Sequence, residues 1–147
     1  MTAKLPLLGI CLACLLLSVG AARPARAADA RDPYRLYLEK TLHVDSDVTA
    51  CVLALTRAVK RNPYYDRLLN MDGSVLRARV SDADDTLFSA GQPVAVDKVI
   101  RLNGMARQRG SWDWNPVRTR CGLRDGHVVA TSIQLRFDDS HSVPGGV

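Results

Sequence analysis

The chain is poor in the residues that ordinarily carry chemistry. It has three histidines, His43, His127 and His141, and no two of them stand at a metal-ligand spacing. It has no Gly-rich phosphate loop, and no Cys-x-x-Cys pair follows the first 27 residues. Ser111 and Ser132 lack a neighbouring base and a nucleophile elbow. Asp82, Asp84 and Asp85 resemble half of a calcium loop, but the glycine at its sixth position and its closing glutamate are missing. That acidic run reads as a solvated loop. These absences leave no metal site, no cofactor and no catalytic residue to predict. Repeats and low-complexity tracts are also missing, and no apolar run after the N-terminus is long enough to span a membrane.

The N-terminus holds the one long apolar run. Met1 to Lys4 is basic, Leu5 to Val19 is almost unbroken in apolar residues, and the alanine-rich "GAARPARAADA" follows. A basic start, an apolar middle and a small-residue exit make a secretory signal peptide. Ala25-Arg26-Ala27 places small residues at −3 and −1 and predicts cleavage before Ala28, with a cut after Ala22 as the alternative. The apolar run of about 15 residues is short of the ~20 a spanning helix needs, which argues against an uncleaved anchor. It continues past Cys14, which argues against Cys14 as a lipoprotein's acylated residue. The expected organisation is a signal peptide over 1–27, a single domain over 28–138 and a flexible Gly/Pro-containing tail over 139–147. The expected location is the periplasm or the extracellular space.

Cleavage at residue 27 leaves 120 of the 147 residues, one domain's worth. Losing Lys4, Arg23 and Arg26 takes the 20 basic residues to 17 against 15 acids. The formal charge falls from +5 to +2, which does not favour a nucleic-acid binder. Cys11 and Cys14 leave with the signal, and Cys51 and Cys121 remain. An even pair in an oxidising compartment predicts one disulfide. Across a separation of 70 residues it would contribute roughly 4 kcal/mol through chain entropy. That is large beside the ~5–15 kcal/mol of a typical domain.

Asp32 and Pro33 start a short helix with Tyr34, Leu38 and Leu42 four apart. "DSD" at 45–47 offers a cap for a second. There Val48, Cys51, Val52, Leu55 and Val59 form one apolar stripe, and Asn62-Pro63 stops the helix. Residues 64–96 read two ways: two strands around a turn at Asp72-Gly73, or a helical turn followed by one strand. "SDADDTLFSAGQP" reads as loop. The last third reads as a β-meander that turns near Arg109-Gly110 and at Asp125-Gly126. Ile100, Leu102, Gly104 and Ala106 share an inward face with Val117, Thr119 and Cys121, and with Val129, Thr131, Ile133, Leu135 and Phe137. The predicted fold is α+β: an N-terminal helix or two packed on a three- to four-stranded antiparallel sheet and stapled by one disulfide.

The opposite face collects Arg101, Arg107, Arg109, Arg118, Arg120 and Arg136, with Trp112 and Trp114. Arginine beside tryptophan suits anions, lipid headgroups, glycans and interface hot spots, so this face is the candidate binding surface. A solvated outer face of a one-sided sheet is the competing reading. Pro116 bears on the choice, because a central strand tolerates proline at a bulge. A bulge would reset the alternation and turn both tryptophans toward the core or its rim, which is the expectation here.

The segment from Val96 to Leu135 carries Asn103-Gly104-x-Ala106, a Trp, Pro116-Val117, Arg120-Cys121-Gly122 and Asp125-Gly126. With Cys51 as an upstream helical cysteine, it resembles the BspC-type domain of small exported proteobacterial proteins and, more distantly, DUF930-type domains. The resemblance implies export and a paired-cysteine domain, and it transfers no catalytic residue. Its founding member is a secreted protein delivered toward host cells. The expected function is a non-catalytic binding or interaction domain of the bacterial envelope. The alternatives are a secreted or translocated host-interaction factor and a small periplasmic enzyme or enzyme inhibitor. An envelope or host protein, an anionic lipid or a glycan would be the partner.

Overall fold

A computed structural model describes residues 32–136, so the segment read as a signal peptide, Phe137 and the C-terminal tail lie outside the described residues. Asp32 caps the first helix, α1 (Pro33–Leu36), its carboxylate accepting from the Tyr34 N–H at 2.9 Å. Pro33 occupies the first turn, where its missing N–H costs nothing. The chain continues as a π-helical turn over Tyr37–Thr41 that buries Leu38. Asp45 then caps α2 (Ser46–Val59) by accepting from the Asp47 N–H at 2.8 Å. The α2 stripe of Val48, Cys51, Val52, Leu55 and Val59 is buried, as its spacing predicts. Asn62 ends this segment, its side-chain oxygen accepting from the N–H groups of Tyr64 and Tyr65.

Five antiparallel strands follow: β1 (Tyr65–Leu69), β2 (Arg79–Ser89), β3 (Gln92–Gln108), β4 (Trp114–Arg124) and β5 (His127–Leu135). The strands β3, β4 and β5 are the expected meander. Asp125 and Gly126 both have positive φ, 51° and 71°, and make the tight primed turn that an Asp-Gly pair favours, glycine because it has no Cβ. Two strands join on the far edge of β3. β1 pairs with its C-terminal end from Met105 to Gln108, and β2 pairs with Gln92 to Arg101. Between them a helical turn, α3 (Asp72–Val75), buries Val75 in the core. The middle thus combines both readings of the sequence, a strand and a helical turn and a second strand. The run from Ser81 to Ser89, read as loop, is strand, because β3 supplies its hydrogen-bond partners.

α2 covers one face of the sheet. Its stripe meets Ile100, Leu102, Cys121 and Leu123 in the main core, while Val59 meets Ala106 and Val117 in a neighbouring cluster. The Cys51–Cys121 disulfide joins the two layers with Cα atoms 5.7 Å apart. The inward alternation holds along β3 and β4 and fails at Val129. A register shift at Gly122/Leu123 turns Val128 to the core and leaves Val129 42% exposed. Among the described residues no helix is long and apolar enough to cross a membrane.

A second apolar cluster lies on the opposite face, made by Phe88, Val96, Val99 and Ala130. The β2–β3 hairpin curls over to form it, and the Gln92 Nε2 at its tip donates to the Thr131 carbonyl of β5 at 3.2 Å. Gly122 is the floor. A Cβ there would stand 2.5 Å from Val96 Cγ1 and 2.8 Å from Phe88 Cδ2, whereas one at Gly91 would meet nothing within 4 Å. Gly122→Ala should therefore cost about 1–3 kcal/mol through overpacking, and Gly91→Ala should be near neutral. Urea unfolding of the two variants measures the difference, and equal midpoints would contradict the curled hairpin.

Candidate functional site

The outward positions of β2, β3 and β4 are occupied by arginine where the register brings the strands together. Arg79 stands opposite Arg101, and Arg101 stands opposite Arg120. Like charges at such positions, about 5 Å apart at Cβ, destabilise a sheet. One step along, Arg118 faces Asn103 on one side and Gln134 on the other. The β1–β2 connection adds Ser74 and Arg77 at the edge. Together these residues line a cavity of about 580 Å³, within the usual range for a small-ligand site. Five arginines line it, and no aspartate or glutamate does.

The arginines are held in different ways. Arg101 Nη1 donates to Ser81 Oγ at 2.9 Å. The guanidinium of Arg120 lies over the Phe88 ring, 5.0 Å from its centroid, and its Nε is buried without a hydrogen-bond partner among the described residues. The hairpin that buries Phe88 thus also positions Arg120. Arg77, Arg79 and Arg118 are exposed. A guanidinium stays charged at any physiological pH and offers a planar fork of donors suited to phosphate, sulfate or carboxylate. The lining residues include no carboxylate, imidazole or thiol, and their guanidiniums offer donors suited to an anion.

The candidate residues from the sequence divide into two groups. Arg101, Arg118 and Arg120 come together in the cavity. Arg107 does not, because its Nε and Nη2 donate to the two Asp66 carboxylate oxygens at 2.9 and 2.7 Å. That bidentate bond holds the Asp66 carboxyl below the usual carboxylate range. Arg109 is structural: it donates to the carbonyls of Lys60, Asn62 and Tyr65 beyond the end of α2. Arg136 follows β5 outside the cavity, its N–H donating to the Pro116 carbonyl.

Both tryptophans are on the surface, which corrects the expectation that they turn inward. Trp112 is 86% exposed and Trp114 41% exposed. Pro116 forms no bulge, and its register with Met105 is regular. The N–H and C=O of a residue in an antiparallel strand point to the same neighbour. The Pro116 carbonyl accepts from Arg136, so its missing N–H faces β5 just where that strand ends. No ladder bond is lost, and the alternation survives. Trp114 therefore lies opposite Arg107 on the outer face, and Trp112 packs against the Arg107 guanidinium, 5.7 Å from carbon to ring centroid.

The sequence reading missed Ser74, Arg77 and Arg79, which lie in the segment it left open. The alternation in Arg77-Ala78-Arg79-Val80 was the available signal, since it places two arginines on one side of an extended chain. Ser111 has a turn-closing role, with its hydroxyl donating to Asp113 Oδ2 at 2.7 Å. Ser132 stands opposite Arg120. His43 is exposed at positive φ, and His127 begins β5. Among the described residues no three His, Cys, Asp or Glu side chains converge as a metal site would require. No family model, no curated protein and no solved structure matches the chain.

The facing arginines make a stability prediction. Arg79→Gln removes one charge from the Arg79–Arg101–Arg120 row and should raise unfolding stability by ~0.2–1 kcal/mol at low ionic strength. Salt should shrink the gain as it screens the row. Denaturant midpoints of wild type and variant, compared at low and high sodium chloride, test it.

Proposed function

We propose that this chain is an exported, non-catalytic binding domain that holds an anionic ligand in the arginine-lined cavity on the outer face of its sheet. The observation that carries the reading is the alignment of Arg79, Arg101 and Arg120 across three strands, with Arg77 and Arg118 beside them and no acid in the lining. Such an arrangement costs stability in the empty protein and is relieved when an anion enters. A concave field of one sign also steers a charged ligand toward it. Export is supported by the leader at the N-terminus and by the Cys51–Cys121 bond, a feature of oxidising compartments. The resemblance to BspC-type domains fits an envelope or secreted setting.

Inorganic tripolyphosphate, titrated calorimetrically, is the probe. Arg79→Glu combined with Arg118→Glu changes two exposed cavity residues and should weaken binding by at least about tenfold, since a hydrogen bond to a charged group is worth ~1.5–3 kcal/mol. Lys40→Glu with Arg61→Glu makes the same charge change away from the cavity and should leave binding nearly intact. Equal losses in the two pairs, or no binding by the wild type, would overturn the reading. The intact mass of protein recovered from the exported fraction checks removal of the leader.

A further inference from the structure

The arginine cavity is one end of a longer outward face. Along β4 that face runs Arg120, Arg118, Pro116, Trp114, a span of about 20 Å at ~3.4 Å per residue. Leu69, Met105 and Pro116 form one cross-strand row of it, and Arg67, Arg107 and Trp114 form the next. Leu69 is 51% exposed, and Trp112 projects from the β3–β4 turn against Arg107. Met71 and Leu76, both exposed, flank the α3 turn that brings Ser74 to the cavity. Single exposed apolar side chains need no explanation. Here tryptophan, leucine and methionine continue directly from a field of uncompensated arginines.

The combination discriminates between anions. A small soluble phosphate would be satisfied by the cavity and would gain nothing from the apolar end. An acidic glycan would stack on the tryptophans but would leave Leu69 and Met105 in water. An anionic lipid surface uses all of them. Arginines meet headgroup phosphates, tryptophans sit at the boundary between headgroups and acyl chains, and short aliphatic side chains enter the apolar layer.

We infer that this face docks on an anionic phospholipid surface, with the cavity taking a phosphorylated headgroup and Trp112, Trp114 and Leu69 entering the interface. The inference rests on the anion-binding reading above and names its ligand. Attachment is peripheral: the sheet lies along the surface, and no helix among the described residues is long and apolar enough to cross it.

The chain has two tryptophans, and both are on this face, so intrinsic fluorescence reports docking directly. Phosphatidylglycerol–phosphatidylcholine vesicles should shift the emission to the blue and sediment the full-length protein, and pure phosphatidylcholine vesicles should do neither. Trp112→Ala with Trp114→Ala should lower vesicle partitioning by roughly tenfold or more, the scale of burying large apolar side chains, and should leave tripolyphosphate binding unchanged. Arg79→Glu with Arg118→Glu should weaken both activities by at least about tenfold. Every variant carries the same N-terminus, so vesicle binding that persists in both pairs would assign the attachment to the leader and overturn the inference. Tripolyphosphate binding without vesicle binding would also overturn it, leaving a cavity for a soluble anion. Loss of both in the wild type would overturn the anion reading as well.

Discussion

The Cys51–Cys121 bond fixes which way β4 faces. Side chains alternate along a strand, so one covalent tie to α2 decides the orientation of every regular neighbour. With Cys121 inward, Thr119 and Val117 are inward too and are fully buried. Arg118, Arg120 and Gly122 must then face the other way. The hydrophobic layer under α2 and the arginine cavity are therefore two consequences of one parity. A slip of a single residue would bury two guanidiniums and expose the cysteine, so the bond and the charge pattern enforce the same register.

The outer face of the sheet is used unevenly. At one end the β2–β3 hairpin folds over Gly122 and builds a second apolar cluster around Phe88. In the middle, arginines stand opposite arginines. At the other end tryptophan and leucine meet solvent. A sheet built for stability alone would alternate charges of opposite sign across its strands. A local rule broken in the middle of an otherwise consistent fold marks a functional or strained site. Arg107 shows the contrast: it sits on the same face but is fully answered by Asp66. The phenyl ring under Arg120 links the first region to the second, so the hairpin's packing and the cavity's geometry are not independent.

Much of this was legible from local patterns. Asp32, Pro33 and Asp45 announce helix starts through their side chains and backbone preferences, and Asp125-Gly126 announces a turn that only such residues make without strain. Arg101, Arg118 and Arg120 could be placed outside because β3 and β4 alternate cleanly. The segment from Ser81 to Ser89 could not be read, since its acids and small residues carry no strand preference, and it is strand only because β3 offers partners. Arg77 and Arg79, just before it, were missed because two readings of residues 64–96 stayed open. Val129 was misplaced because a register shift against β4 is a property of two strands together.

The sequence by itself determined the elements whose causes are local: the capped helices, the apolar stripe of α2, the tight turn of the last hairpin and the pairing of Cys51 with Cys121. It also determined that the meander's outer face would be rich in arginine. Only the tertiary structure decided that three of those arginines converge with two more from the middle of the chain, since that depends on where β1 and β2 attach along β3. It alone decided that Pro116 leaves the tryptophans outside, because the effect of a missing N–H depends on which neighbour it faces and where that neighbour ends. Side-chain chemistry is written residue by residue, but the meeting of five like charges is a matter of register, which no single strand possesses.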